Sequence, residues 1–302
     1  MIPAILTTLC FAVSGLFSAR LSKPLGAIHA TTIRCIFVIT LLAAYAYGLG
    51  QGALGPGLGL LIVSGAIGFG LGDLALFQSY QRIGSRLALL LCQCLAAPIA
   101  TLTEWIWLGT TLTFLQMFLV FLILLGTSLA LAPSDHLHLP KGTLRAGIFF
   151  GTLAACGQAW GAVLSRRAYE LNDFAGVSID ALTITYQRML GGVALVFPFY
   201  VIYLLFQKKQ GQQPLRQLLK LRQVWPYLLV SGLVGPIFGV AFYQWALATT
   251  ASGVVLAIVA TTPIAIMPLT YFIDGDRPSF RSLVGAFLAV FGVIAMLLVG
   301  KV

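Results

Sequence analysis

The sequence predicts an all-α membrane protein, with ten transmembrane helices arranged as two inverted five-helix repeats around a central cavity. Three observations predict it. Apolar residues make up 59% of the 302 positions and charged residues only 9%, against about a quarter charged in soluble domains. Too few charges are left to cover a water-facing surface. The apolar residues fall in continuous runs near the roughly 20 residues that cross a bilayer as a helix, whereas a β-barrel would show short alternating segments. Finally, motifs of the first half return in order in the second.

The ten runs cover about 2–20, 28–48, 58–80, 87–108, 112–132, 145–165, 181–206, 225–248, 252–273 and 280–300. Helix breakers punctuate the gaps: Lys23-Pro24, Gly55-Pro56-Gly57, Pro133-Ser134-Asp135, the stretch from Gly211 to Pro214, and Asp274-Gly275-Asp276. No gap is long enough for a soluble domain. The first run lacks a convincing cleavage site and is read as a retained helix.

Thirteen Lys and Arg residues lie in the gaps after odd-numbered helices, and only Arg166, Arg167 and Lys301 on the opposite side. Positive charge is retained on the cytoplasmic side, so the odd gaps are expected inside and both termini outside. This describes a multi-pass protein of the cell's inner (plasma) membrane. The net charge of +10 sits in these short gaps, where it sets orientation and makes the lipid bilayer, not nucleic acid, the partner. The basic stretch 207–224 fits an amphipathic segment on the inner leaflet or a solvated loop.

The five cysteines (Cys10, Cys35, Cys92, Cys94, Cys156) all fall within apolar runs and are expected to pack as small hydrophobes. Cys92 and Cys94 project about 200° apart on a helix, so no metal site is expected, and no cofactor. No catalytic cluster is present. His29, His136 and His138 lie at or beyond the membrane boundary, and the glycine-rich stretches 50–59 and 65–72 lack the strand-to-helix setting of a phosphate loop. The chain is not read as an enzyme.

The halves correspond motif by motif. Phe77-Gln78-Ser79-Tyr80 ahead of Gly84-Ser85 matches Tyr243-Gln244-Trp245-Ala246 ahead of Ala251-Ser252. Gly68-x-x-x-Gly72 matches Gly235-x-x-x-Gly239, Pro98 matches Pro263, Ser14-Gly15 echoes Trp160-Gly161, and Ile33-Arg34 echoes Gln187-Arg188. The units cover about 1–132 and 145–300. Five spans per unit force the second copy into the opposite orientation, the construction common in secondary transporters.

On these residues the chain resembles the ten-helix drug/metabolite transporter superfamily, specifically its EamA-like members, which include aromatic amino acid exporters. The most specific pieces are Trp160-Gly161, Arg34, Arg188, the run Tyr243 to Leu247 with Thr249-Thr250-Ala251-Ser252, and Pro263 followed by Gly275-Asp276-Arg277. The first half departs from the pattern in having Ser14-Gly15 in place of Trp-Gly, and Gly109-Thr110 where an acidic residue often follows the glycine. The resemblance implies export of small solutes.

Polar side chains at bilayer depth are costly and face a bundle interior or a wet cavity. Asp73 is the one acidic residue well inside a predicted span, and it shares a helix face with Phe69, Phe77 and Tyr80. It reads as a carboxylate that binds a substrate ammonium or carries a proton, with a cap at the glycine-rich break as the structural alternative. Gln93, Ala97, Ala100, Thr101 and Glu104 form one small, polar face of the fourth helix, with Gln93 deepest and Glu104 expected at the interface. Gln158, Trp160, Tyr243 and Gln244 offer rings and amides for an amphipathic solute. The predicted substrate-binding set is therefore Asp73, Phe77, Tyr80, Gln93, Gln158, Trp160, Tyr243 and Gln244. Arg34 and Arg188 are expected to bond carbonyls freed at broken helices or to gate, and Pro98 and Pro263 to supply matched kinks.

The expected function is secondary active transport of small polar or amphipathic organic solutes, amino acids or related metabolites, by a monomer coupled to protons. Uptake of a choline-, sugar- or nucleotide-like solute would use the same architecture. An intramembrane lipid-modifying enzyme would need a His, Asp or Ser cluster at one depth, and a channel would need rings of like charge or carbonyl filter loops. The sequence has neither.

Overall fold

In a computed structural model, residues 1–109, 113–131, 141–210, 219–274 and 279–299 are described. His136, His138, Arg277, Lys301 and residues 211–218 of the basic stretch 207–224, Arg216 among them, lie outside them. Among the described residues all regular structure is helical. The chain runs through α1 (Ile2–Leu25), α2 (Ala27–Gly48), α3 (Leu58–Gly65), a π-helical stretch (Ala66–Gly72) and α4 (Asp73–Leu108). It continues through α5 (Phe114–Leu131), α6 (Lys141–Phe174), α7 (Ala181–Lys209), α8 (Leu221–Gly232) and a second π-helical stretch (Leu233–Gly239). The last elements are α9 (Val240–Thr249), α10 (Ser252–Val259), α11 (Thr262–Asp274) and α12 (Phe280–Val299).

Seven helical stretches among the described residues are long and apolar enough to cross a membrane, against ten expected. The difference has two sources. Leu58–Trp107 is one stretch of 50 residues, but it turns at Gly84, whose φ of 76° and ψ of 170° are not helical. It therefore holds two of the predicted runs. The fifth and tenth runs contain shorter apolar helices, Phe114–Gly126 and Leu283–Gly292. These two pack on each other through glycine: a Cβ at Gly126 would come within 2.5 Å of the Ala289 nitrogen. Small residues of this kind let helices approach in lipid, where no hydrophobic force draws them together. Phe118, Phe121, Phe287 and Phe291 on the same pair are exposed, as side chains that face hydrocarbon should be.

The core is assembled by backbone-to-backbone crossings. At Gly65 of α3 a Cβ would lie 1.6 Å from the Arg188 carbonyl oxygen, and at Gly191 of α7 it would lie 1.8 Å from that of Ile62. Gly157 of α6 meets Gly72 in the same way, with 2.7 Å from a Cβ to the Gly72 Cα. Serines lock equivalent crossings between the halves. Ser14 of α1 donates to the Ser231 carbonyl at 3.0 Å, and Ser64 of α3 donates to the Gly161 carbonyl at 2.7 Å.

The two π-helical stretches occupy corresponding places, each ahead of the helix that carries the aromatic-amide motif, and neither was foreseen. A π segment widens the helix by one residue per turn and is frequent at functional sites. The prolines behave differently from expectation. Pro98 lies inside the part of α4 that follows Gly84, whereas Pro263 is the second residue of α11, directly after a break between Val259 and Thr262. The two prolines thus stand in different local settings, one within a helix, where it removes a hydrogen bond, and one at a helix start, where a missing N–H costs nothing.

The loop 49–57 is pinned from the other half. Gln187 Nε2 donates to the carbonyls of Gly52 and Leu54, both at 2.9 Å, and Asn172 Oδ1 accepts from Gly57 N at 2.8 Å. Asp180 caps α7 by accepting from the N–H groups of Leu182 and Thr183. Leu54 in this loop is exposed, as is Lys208 at the far end of α7. In a cysteine-free background, Leu54→Cys should react with an impermeant maleimide on intact cells, and Lys208→Cys only after permeabilisation. The reverse pattern would invert the orientation expected from the basic residues.

Candidate functional site

A cavity opens where the two halves meet, with about 660 Å³ of empty space when the part open to solvent is included. The first half contributes Phe11, Ser14, Gly15 and Ser18 from α1, Arg34 from α2, Gly68 and Phe69 from the π-helical stretch, and Asp73, Leu76, Tyr80, Leu89, Cys92 and Gln93 from α4. The second half contributes Gln158 of α6, Arg188 of α7, Gly235 and Pro236 of the other π-helical stretch, and Val240 and Tyr243 of α9. Both π segments therefore contribute to the lining.

Of the eight predicted substrate-binding residues, Asp73, Tyr80, Gln93, Gln158 and Tyr243 line this cavity. Three do not. Phe77 is fully buried beneath the Arg34 guanidinium, 4.6 Å from its ring centroid. Trp160 is 45% exposed on the outer face of α6, away from the cavity, while its neighbour Gly161 faces inward against Ser64. Gln244 is fully buried within the protein, and neither amide atom has a hydrogen-bond partner. In each case helical spacing identified a special position but not the face it occupies.

The charged groups hold the largest surprise. Asp73 begins α4 and pairs with Arg34 of α2 at 2.5 Å, the side chains being 18% and 6% exposed. Arg34 also donates to Ser18 Oγ at 3.3 Å. Neither the carbonyl-bonding role expected of Arg34 nor the capping alternative for Asp73 is seen in their described hydrogen bonds. Arg188 differs from Arg34: its Nε donates to Ser64 Oγ at 2.9 Å and its guanidinium lies over Phe69, 5.1 Å from the ring centroid. Asp73 faces Val240 as its counterpart beyond the second π segment, so the carboxylate is not duplicated.

Three buried polar atoms of lining residues, Tyr243 Oη, Gln93 Oε1 and Arg34 Nε, have no hydrogen-bond partner. Tyr243 packs against Phe11 across the halves at 6.2 Å between ring centroids. These atoms, with the two arginines and one carboxylate, give a pocket that is apolar in its walls and polar at a few fixed points. No group of three or more His, Cys, Asp or Glu able to hold a metal is found among the described residues. Glu104, expected at the membrane interface, is buried between helices: it pairs with Arg166 at 3.2 Å and accepts from Ser252 N at 3.1 Å. The face it shares with Ala97 and Ala100 is used for close packing, since both alanines are fully buried.

The EamA-like transporter family model matches residues 1–132 and again 145–298. The chain belongs to the EamA-like transporter family. It is thus a multi-pass membrane transporter of small solutes and not an enzyme. No curated protein matches the sequence. A solved protein structure, 16% identical, superposes with a TM-score of 0.66 over 99% of this chain and 96% of its own, a likeness that speaks to the fold. In this EamA-like transporter the cavity therefore lies among residues drawn from both matched regions.

Proposed function

We propose that the protein is a secondary active transporter that exports small polar or amphipathic organic solutes, amino acids or related metabolites, by alternating access. Residues 1–132 and 145–300 act as inverted five-helix units of a monomer in the plasma membrane, both termini outside, rocking about the cavity between them. The single observation that carries this reading is the cavity itself: ionised and amide groups are costly at bilayer depth, and where they line a cavity they mark solute and proton paths. Export rests on the family resemblance. Coupling runs through Asp73, which exchanges its bond to Arg34 for a proton as the cycle proceeds.

The test is flux in proteoliposomes. Tyr243→Ala and Gln158→Ala, which strip the cavity wall, should cut counterflow of a transported solute at least tenfold, while Trp160→Ala should leave it within twofold of the wild type. Equal loss in all three variants would place the solute path elsewhere.

A further inference from the structure

The cavity carries three charged side chains, Arg34, Asp73 and Arg188. Arg34 and Asp73 neutralise each other, so the wall has one positive charge in excess, and it belongs to Arg188. Among the described residues no carboxylate lies within ion-pair distance of Arg188, although its side chain is almost wholly buried, 5% exposed. An uncompensated buried cation is expensive and normally acquires a partner.

The arginine is also held ready. Ser64 Oγ, which accepts from Arg188 Nε, is itself fixed by its bond to the Gly161 carbonyl and by Ser165 Oγ at 2.9 Å. The face of Phe69 supports the guanidinium plane. Glycines leave space at its tip: a Cβ at Gly68 or Gly161 would stand 3.0 Å from Nη2. A second, independent observation points to the same ligand. Tyr243 Oη is buried, lines the cavity and has no acceptor, so it is a free donor in the same wall.

Building on the transport reading, we propose that Arg188 is the anion-binding residue of the cavity and takes the carboxylate of the solute, with the Tyr243 hydroxyl as a further donor. The planar fork of an arginine suits two carboxylate oxygens. One excess positive charge matches a single negative one, which selects monocarboxylates and zwitterions over cations and over doubly charged phosphate esters.

The experiment is a thermal-shift titration of the purified full-length protein with free amino acids, the same amino acids as C-terminal amides, and phosphate monoesters. Free acids should stabilise the wild type with at least tenfold tighter apparent Kd than their amides. Arg188→Gln should abolish that preference, and Tyr243→Phe, which removes only a hydroxyl, should weaken acid binding several-fold while leaving amide binding unchanged. Should Arg188→Gln fail to fold, the acid-to-amide ratio of the wild type and of Tyr243→Phe decides the matter. Acids and amides binding equally, or phosphate esters binding in preference, would overturn the anion site while leaving the transporter reading intact. Binding of none of these solutes, together with no flux, would overturn both.

Discussion

Gly65→Ala and Gly191→Ala should each prevent the protein from reaching a stable folded form, the largest effect expected of any substitution this small. A methyl group at either position would sit 1.6–1.8 Å from a carbonyl oxygen of the facing helix. No side chain is there to move aside, so α3 and α7 must separate, and Arg188 with them. Overpacking by a methylene costs about 1–3 kcal/mol when side chains yield, and a backbone clash exceeds that range. Detergent-extracted yield and unfolding temperature check this. Gly59→Ala, where nothing lies within 4 Å, is the matched control and should gain up to about 1 kcal/mol from helix propensity. A Gly65→Ala protein that melts with the wild type would mean that these helices do not cross there.

Asp73→Asn should be nearly as costly, for an electrostatic reason. It preserves the shape of the carboxylate but leaves Arg34 charged and buried, and removing one member of a buried ion pair costs about 3–5 kcal/mol. The double variant Arg34→Gln/Asp73→Asn should recover most of the lost stability, because neutral amides can bond each other. Both variants should lose proton-driven accumulation, whereas the double variant should keep downhill exchange. Recovery of stability without any loss of accumulation across pH 5.5 to 8 (a window spanning neutrality) would leave the pair a structural tie.

Much of the fold was legible because bilayer crossing imposes one requirement on every span, length with apolarity. Among the described residues the predicted runs fall on helix, with a break at 260–261 inside the ninth, and one pair of repeat motifs falls on matching turns: Gly84-Ser85 and Ala251-Ser252 are where the chain turns in the two halves. Spacing also drew out Asp73, Tyr80, Gln93, Gln158, Arg188 and Tyr243. What it left out depends on which helices meet. Arg34 and Asp73 are 39 residues apart on different helices, and nothing local in either segment announces the other. Trp160 and Gly161 form one motif in the sequence, yet adjacent helical residues point about 100° apart, so one faces outward while the other is buried. The π stretches could have been suspected from Gly65 to Gly72 and from Gly232 to Gly239, since glycine tolerates the locally widened turn, but glycine-rich helices also occur without it.

The most direct test of the account is whether solutes bind in the cavity between the halves. Thermal unfolding of the purified wild type should be followed against a library of amino acids and related metabolites, alongside Tyr243→Ala and Trp160→Ala. A solute at a hundred times its Kd stabilises the folded state by about 2.7 kcal/mol. Every solute that raises the melting temperature of the wild type should do so for Trp160→Ala and lose most of its effect on Tyr243→Ala. A library in which no solute shifts the wild type, or whose hits stabilise Tyr243→Ala as strongly, would contradict it.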